Sequence, residues 1–153
     1  MNRAKSLLLY QDEPSGSLLK LIMGMVPVTF LVLGIYLWLT GERSGALALL
    51  FETFLIGLIF WIIFPRRYQV YQDHLRIVLA GPFAVKIGFD QIKAMEVTTR
   101  NALTVNFATT ITRTYVLIVK KHGISIAITP KSNALFVDNA KRALNQWART
   151  RRG

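Results

Sequence analysis

Two long apolar runs joined by a short polar turn constrain this chain more than anything else in it. Leu21 to Leu39 carries no charged residue, and Ala46 to Phe64 carries only Glu52. Each is about 19 residues long, and at ~1.5 Å per residue such a helix matches the ~30 Å hydrocarbon core of a bilayer. Neither run has the polar face that a helix of a soluble bundle would show. The connecting Thr40-Gly41-Glu42-Arg43-Ser44-Gly45 is a polar, glycine-bearing turn. The pattern predicts a transmembrane hairpin over residues 18–64, with helices at about 18–39 and 45–64. A cleaved signal peptide fits poorly: the first run starts about twenty residues in, is too long for an h-region, and no A-x-A-like site follows.

Charge is distributed the other way. The 153-residue chain is 52% hydrophobic yet carries a net charge of +11, a mismatch that segregation resolves. Residues 1–64 balance Arg3, Lys5, Lys20 and Arg43 against Asp12, Glu13, Glu42 and Glu52. Residues 65–153 set fifteen basic residues against Asp73, Asp90, Glu96 and Asp138, so the whole excess lies there. The hydrophobic content excludes disorder, and the absence of cysteine excludes a disulfide scaffold and thiolate zinc sites.

Basic residues flanking the spans set the expected topology. Arg3, Lys5 and Lys20 precede the first helix and Arg66 and Arg67 follow the second, while the turn has only Arg43 beside Glu42. The positive-inside rule places both termini in the cytoplasm and the turn outside. Tyr36 and Trp38 then lie near the outer end, and Trp61, Phe64 and Tyr68 near the inner one. Gly24, Gly34 and Gly57 are candidates for close helix contact, and Pro27 for a bend. Glu52 is the one ionisable residue within a span and the candidate intramembrane polar contact. Folding the hairpin about residues 42–43 sets it opposite Gly34, about two turns below the outer turn, with a neighbouring helix or a partner subunit to receive its hydrogen bond.

Past Pro65 the period changes to two. Residues 68–70, 75–80, 83–89, 95–99, 103–107, 115–120 and 124–128 alternate, with turns at Gln72-Asp73-His74, Gly81-Pro82 and Lys121-His122-Gly123 and a short helical step at Asp90-Gln91-Ile92. Short strands at this spacing predict an antiparallel sheet or barrel. After Pro130, Ser132 or Asn133 can cap a C-terminal helix at about 132–149, whose Phe136, Ala140, Ala143, Leu144 and Trp147 form one apolar stripe that covers the sheet. The expected organisation is a cytoplasmic segment 1–17, the hairpin 18–64, and a cytoplasmic domain 65–153. Leu7-Leu-Leu-Tyr-Gln-Asp-Glu-Pro is too short to span and too apolar for a free tail, so it is expected to lie on the cytoplasmic domain as an added strand or interfacial segment.

Three stretches, Tyr71-Gln-Asp-His-Leu-Arg-Ile, Gly81-Pro-Phe through Ile87-Gly-Phe-Asp-Gln-Ile, and Ile126-Ala-Ile-Thr-Pro-Lys-Ser-Asn-Ala-Leu-Phe-Val, are similar to the pattern of bacterial membrane proteins with a pleckstrin-homology-like domain. The resemblance covers about residues 67–148, and its motifs are turn and packing positions. It implies an α+β membrane protein: a two-helix hairpin, then a pleckstrin-homology-like antiparallel sheet or barrel capped by a C-terminal helix. It also implies the bacterial cytoplasmic membrane as the location and a binding or scaffold role. Relatives of the fold that grip phosphoinositides use Lys and Arg clustered in the first hairpin loop. Here that loop offers Asp73 and His74, with Arg76 just beyond, so no such pocket is carried over.

Catalytic patterns do not emerge. His74 and His122 fall in predicted turns without convergent ligands, and there is no phosphate loop, carboxylate pair or nucleophile elbow. No cofactor or metal is expected, and the chain reads as a non-enzyme. The basic residues Arg66, Arg67, Lys86, Lys93, Lys120, Lys121, Arg149, Arg151 and Arg152 are candidates for the anionic membrane surface, where each is worth ~1 kcal/mol. Solubility with positive-inside bias is the plainer account of them. Nucleic acid ranks lower, because the charges are dispersed and no DNA-binding helix is evident. The expected function is a membrane-anchored scaffold that binds a protein or anionic lipid. The alternatives are an accessory subunit of a larger membrane complex, a homo-oligomer within the membrane and, last, a small transporter or channel component.

Overall fold

Helix gives way to strand at Pro65, where the apolar runs end and alternation begins. The computed structural model describes residues 6–16, 18–99, 104–107 and 114–151. Its elements are β1 (Leu8–Asp12), α1 (Leu18–Leu39), α2 (Arg43–Ile63), β2 (Arg67–Tyr71), β3 (His74–Val78), β4 (Ala84–Gly88), a 3-10 turn (Phe89–Gln91), β5 (Ile92–Thr98), β6 (Thr104–Phe107), β7 (Tyr115–Lys120), β8 (Ser125–Ile128) and α3 (Asn133–Thr150). The architecture is α+β with two long apolar helices. Leu103, from the predicted sixth stretch, lies outside the described residues, as do Arg3 and Lys5 of the N-terminal charge cluster.

Among the described residues the strands form two four-stranded sheets, ordered β1-β2-β3-β4 and β5-β7-β8-β6, and no closed barrel. The 3-10 turn is the physical reason. It diverts the chain between β4 and β5, and its backbone groups bond to turns instead of a ladder: Phe89 N–H to Asp73 O and Lys121 N–H to Gln91 O. The sheets are not wholly antiparallel either. β7 is flanked by β5 and β8, so β6 takes the remaining edge and runs parallel to β8.

The N-terminal stretch is a strand. β1 pairs antiparallel with β2, from Leu8 opposite Tyr71 to Asp12 opposite Tyr68. Beyond it the chain crosses to the second sheet: Ser15 N–H bonds Thr129 O at 2.7 Å, and Lys131 N–H bonds Glu13 O at 2.8 Å. The helical hairpin is therefore an insertion between two paired strands, attached at both ends.

Both sheets and α3 share one core. Tyr68, Val70, Leu75, Ile77, Ile87 and Phe89 meet Ile92, Met95, Val116, Ile118, Ile126 and Ile128, with Phe136, Val137, Ala140 and Ala143 of α3 completing it. The apolar stripe of α3 thus covers the sheets, with Leu144 and Trp147 at its margin. Ser132 occupies the N-cap position of α3 but makes no side-chain cap, and the Asn133 amide turns to Thr114 O. Asp12 serves instead: its carboxylate accepts Ser132 N–H at 3.1 Å and Glu13 N–H at 2.8 Å, placing negative charge at the helix N-terminus.

α1 and α2 pack along a seam with heptad-like spacing. Met23, Pro27, Phe30, Gly34 and Leu37 of α1 are more covered than their neighbours, as are Ala46, Leu49, Leu50, Thr53, Ile56 and Phe60 of α2. α2 begins at Arg43, two residues earlier than expected, which shortens the turn. A Cβ on Gly34 would lie 3.3 Å from the Leu50 side chain, so Gly34 faces Leu50 and not Glu52. Gly24 and Gly57 have nothing within that reach and make no close contact. Apart from this seam the helices are uncovered, with 6% of each apolar window buried.

Tyr68 ties the layers together. Fully buried on β2, it donates to Phe107 O of β6 at 2.7 Å, and buried Thr129 lies beside it. Burial pushes its phenol up to about 12, against the lowering effect of hydrogen bonding to Thr129. A folded pKa above the unfolded value means that this stabilisation is complete below pH about 10 and is lost as pH rises toward 12. Tyr68→Phe should cost about 1 kcal/mol at neutral pH by removing the bond. Between those pH values the wild type should lose on the order of 2–3 kcal/mol more than the variant, measured by denaturation at stepped pH.

Candidate functional site

The polar features of the domain gather at two opposite ends of the first sheet. β2 leaves the helical hairpin at Arg67 and reaches its turn at Gln72-Asp73 five residues later, roughly 16 Å away at the usual strand rise. β3 returns toward the hairpin and β4 goes out again.

At the near end, Arg66 N–H bonds Val78 O at 2.7 Å, and the Arg66 guanidinium lies 5.1 Å above the Trp61 ring. Gly81, at φ +59, a conformation that favours glycine, turns the chain beside Trp61. Phe83 next to it stands exposed. Phe60, Trp61, Phe64, Pro65, Arg66 and Gly24 line a cleft of about 280 Å³ here.

At the far end, three connections converge on the C-terminal part of α3. His74 Nδ1 lies 2.7 Å from Asp73 Oδ1, and its ring stacks on Tyr71 at 4.6 Å. His74 opens β3 with its side chain 14% exposed, so it is an integrated residue and not the exposed turn histidine expected from its position. Trp147 meets Phe89 edge to face and carries Arg151 over its ring at 4.7 Å. Asp73, His74, Lys86, Asp90, Trp147 and Arg151 are among the residues lining a cleft of about 610 Å³. Beside it, Asp90, Gln91, Lys120, Lys121 and His122 line another of about 390 Å³.

The candidate basic residues are thus divided. Arg66 and Arg67 stand at the hairpin junction. Lys86, Lys120, Lys121 and Arg151 line the far clefts. Lys93 follows Ile92, which pairs with Lys120, and Arg149 lies in the last turn of α3, so both belong to the far end. Arg152 lies outside the described residues. Glu52 is exposed at the centre of α2, deeper than two turns below the turn, with no hydrogen bond or ion pair among the described residues.

Arg76 joins this set, and the alternation that places it on the same sheet face as Lys86 was the signal for it. The two sit directly opposite across β3 and β4. Arg76 Nε is buried without a hydrogen-bond partner among the described residues. Like charges opposed in a ladder destabilise it, so this pair weakens the sheet it sits in. Among the described residues no cluster of three or more histidine or carboxylate side chains is placed to hold a metal. Ser6 also lines the larger far cleft.

No protein family matches the chain's sequence, and no curated protein matches it either.

The opposed cations give a direct test. Lys86→Glu should replace repulsion with attraction across from Arg76 and stabilise the domain by about 0.5 kcal/mol. Thermal unfolding of the full chain, followed by far-UV circular dichroism, should then shift upward by one or two degrees, whereas Lys86→Arg should leave it unchanged.

Proposed function

We propose that this protein is a non-enzymatic, membrane-anchored binding module. Its α1–α2 hairpin spans the bacterial cytoplasmic membrane with both termini inside, and its two-sheet domain, of the pleckstrin-homology-like class, presents the far clefts to an acidic segment of a protein partner. The observation that carries the reading is the insertion of the hairpin between β1 and β2. Anchoring at both ends holds the sheets in a set direction, so the clefts lined by Lys86, Lys120, Lys121 and Arg151 point away from the bilayer.

The division of charge supports a protein partner over a lipid for that end. Arg66 and Arg67, stacked on or next to an interfacial tryptophan, are positioned for phospholipid headgroups at the junction. The far clefts combine the cations Lys86, Lys120, Lys121 and Arg151 with Trp147, a mixture that suits carboxylates on a peptide. The uncovered apolar surface of α1 and α2 supports the membrane-spanning reading, since a soluble chain would have to leave both helices facing water.

Titrating the full chain, held in nanodiscs of neutral lipid, with a glutamate-rich peptide should change Trp147 emission. Lys86→Glu with Arg151→Glu should weaken that binding at least tenfold, and Arg66→Glu with Arg67→Glu should leave it within twofold. Equal loss from both double variants would mean a general charge effect and would remove the far clefts as the site.

A further inference from the structure

The membrane-spanning reading leaves Glu52 unexplained, because a carboxyl group at the centre of α2 faces outward from the hairpin and has no partner among the described residues. In hydrocarbon such a group requires a polar neighbour. The structure also supplies a candidate neighbour. Thr29 sits at the centre of α1 and is likewise exposed, its hydroxyl donating to Met25 O of its own helix at 2.9 Å.

Depth and direction both relate these residues. Gly34 abuts Leu50 and the Ala46 carbonyl, which sets residues 29–30 level with 52–53. Phe30 and Thr53 both lie on the seam. Two antiparallel helices are related by a local two-fold axis perpendicular to the seam, and that rotation carries residue 30 onto 53 and residue 29 onto 52. Thr29 and Glu52 therefore emerge on the same face of the hairpin, one from each helix. At 100° per residue Tyr36 falls on this face as well, while Leu31, Trp38, Phe54 and Trp61 fall on the other. One face is polar at mid-depth and the other is wholly apolar.

We propose that the Thr29–Glu52 face pairs with the same face of a second copy of this chain. A two-fold axis along the membrane normal lays α1 of one copy against α2 of the other and keeps all depths unchanged. Each Glu52 then meets the Thr29 of its neighbour at the same level, giving two reciprocal hydrogen bonds. A hydroxyl both donates and accepts, so it matches a carboxyl group in either protonation state. The partner is a second copy because the face carries its own complement, at the required depth and on the required helix. An unrelated membrane subunit would have to supply one independently. The pairing rests on the hairpin spanning the membrane.

The chain contains no cysteine, so cross-linking reports introduced sites alone. Ile22 and Ile59 lie on the polar face, one on each helix, near a common level, and both are exposed. Full-length Ile22→Cys and Ile59→Cys chains carrying different tags, co-expressed and oxidised in native membranes, should form a mixed dimer. The yield should be several-fold above that from Leu31→Cys with Phe54→Cys on the opposite face. Adding Glu52→Leu to both chains should reduce the yield several-fold, while Glu52→Gln, which keeps a donor and an acceptor, should preserve it. Equal cross-linking on both faces, absence of the mixed dimer, or indifference to Glu52→Leu would overturn the pairing. Alkaline carbonate extraction separates the two levels. Chain released into the supernatant overturns the spanning reading and the pairing with it, whereas chain retained in the membrane without the mixed dimer overturns the pairing alone.

Discussion

The ladder between β1 and β2 is the interaction on which the rest of the structure depends. It closes the first sheet and brings the N-terminal segment over the core. It also fixes where both ends of the helical hairpin leave the domain. Without it, Asp12 would not reach the N-terminus of α3, and Ser15 and Glu13 would not tie the first sheet to the end of β8. A single linker between anchor and domain would allow free rotation. Two attachments from adjacent strands do not, and so the ends of the sheets acquire a direction relative to the helices.

Beside the clefts proposed for binding, the first sheet carries a cost to its own stability. Arg76 opposite Lys86, with Arg76 Nε buried and unpaired among the described residues, is a cost that a structure selected only for folding would remove. The near end shows no such conflict. There Arg66 lies on Trp61, its backbone is bonded to Val78, and glycine occupies the position that needs positive φ. Strain on the β3–β4 ladder and satisfaction at the hairpin junction mark the two places as physically different.

Periodicity made most of the elements legible in advance. The unbroken runs gave α1 within its observed bounds, alternation gave β2 to β5 and the β7–β8 hairpin, and the spacing of Phe136, Ala140, Ala143 and Trp147 gave α3. Long-range pairing was out of reach for the same signal. Alternation marks a strand but does not name its neighbour, so it shows neither the parallel placement of β6 on β8 nor the split into two sheets at Phe89–Gln91, which reads locally as a mere step. The same holds at the site. The basic residues could be enumerated, but their division between two ends follows from strand direction. Glu52 was set against Gly34 by counting back from an assumed turn, and two residues of additional helix at Arg43 were enough to change what it faces. Asp12, the cap of α3, lies 120 positions from Ser132, whose N–H its carboxylate accepts, a distance no local motif spans.

The order of the β1–β2 splice along the chain has a consequence for synthesis. β1 is made before either helix, but its ladder partner is made only after both. The first sheet therefore cannot close while the hairpin is incomplete, and an unpaired β1 edge persists until residues 67–71 emerge. Completion of the two-sheet fold is in this way conditional on the two apolar helices having been made first, so a chain stalled between them is left with an open sheet edge.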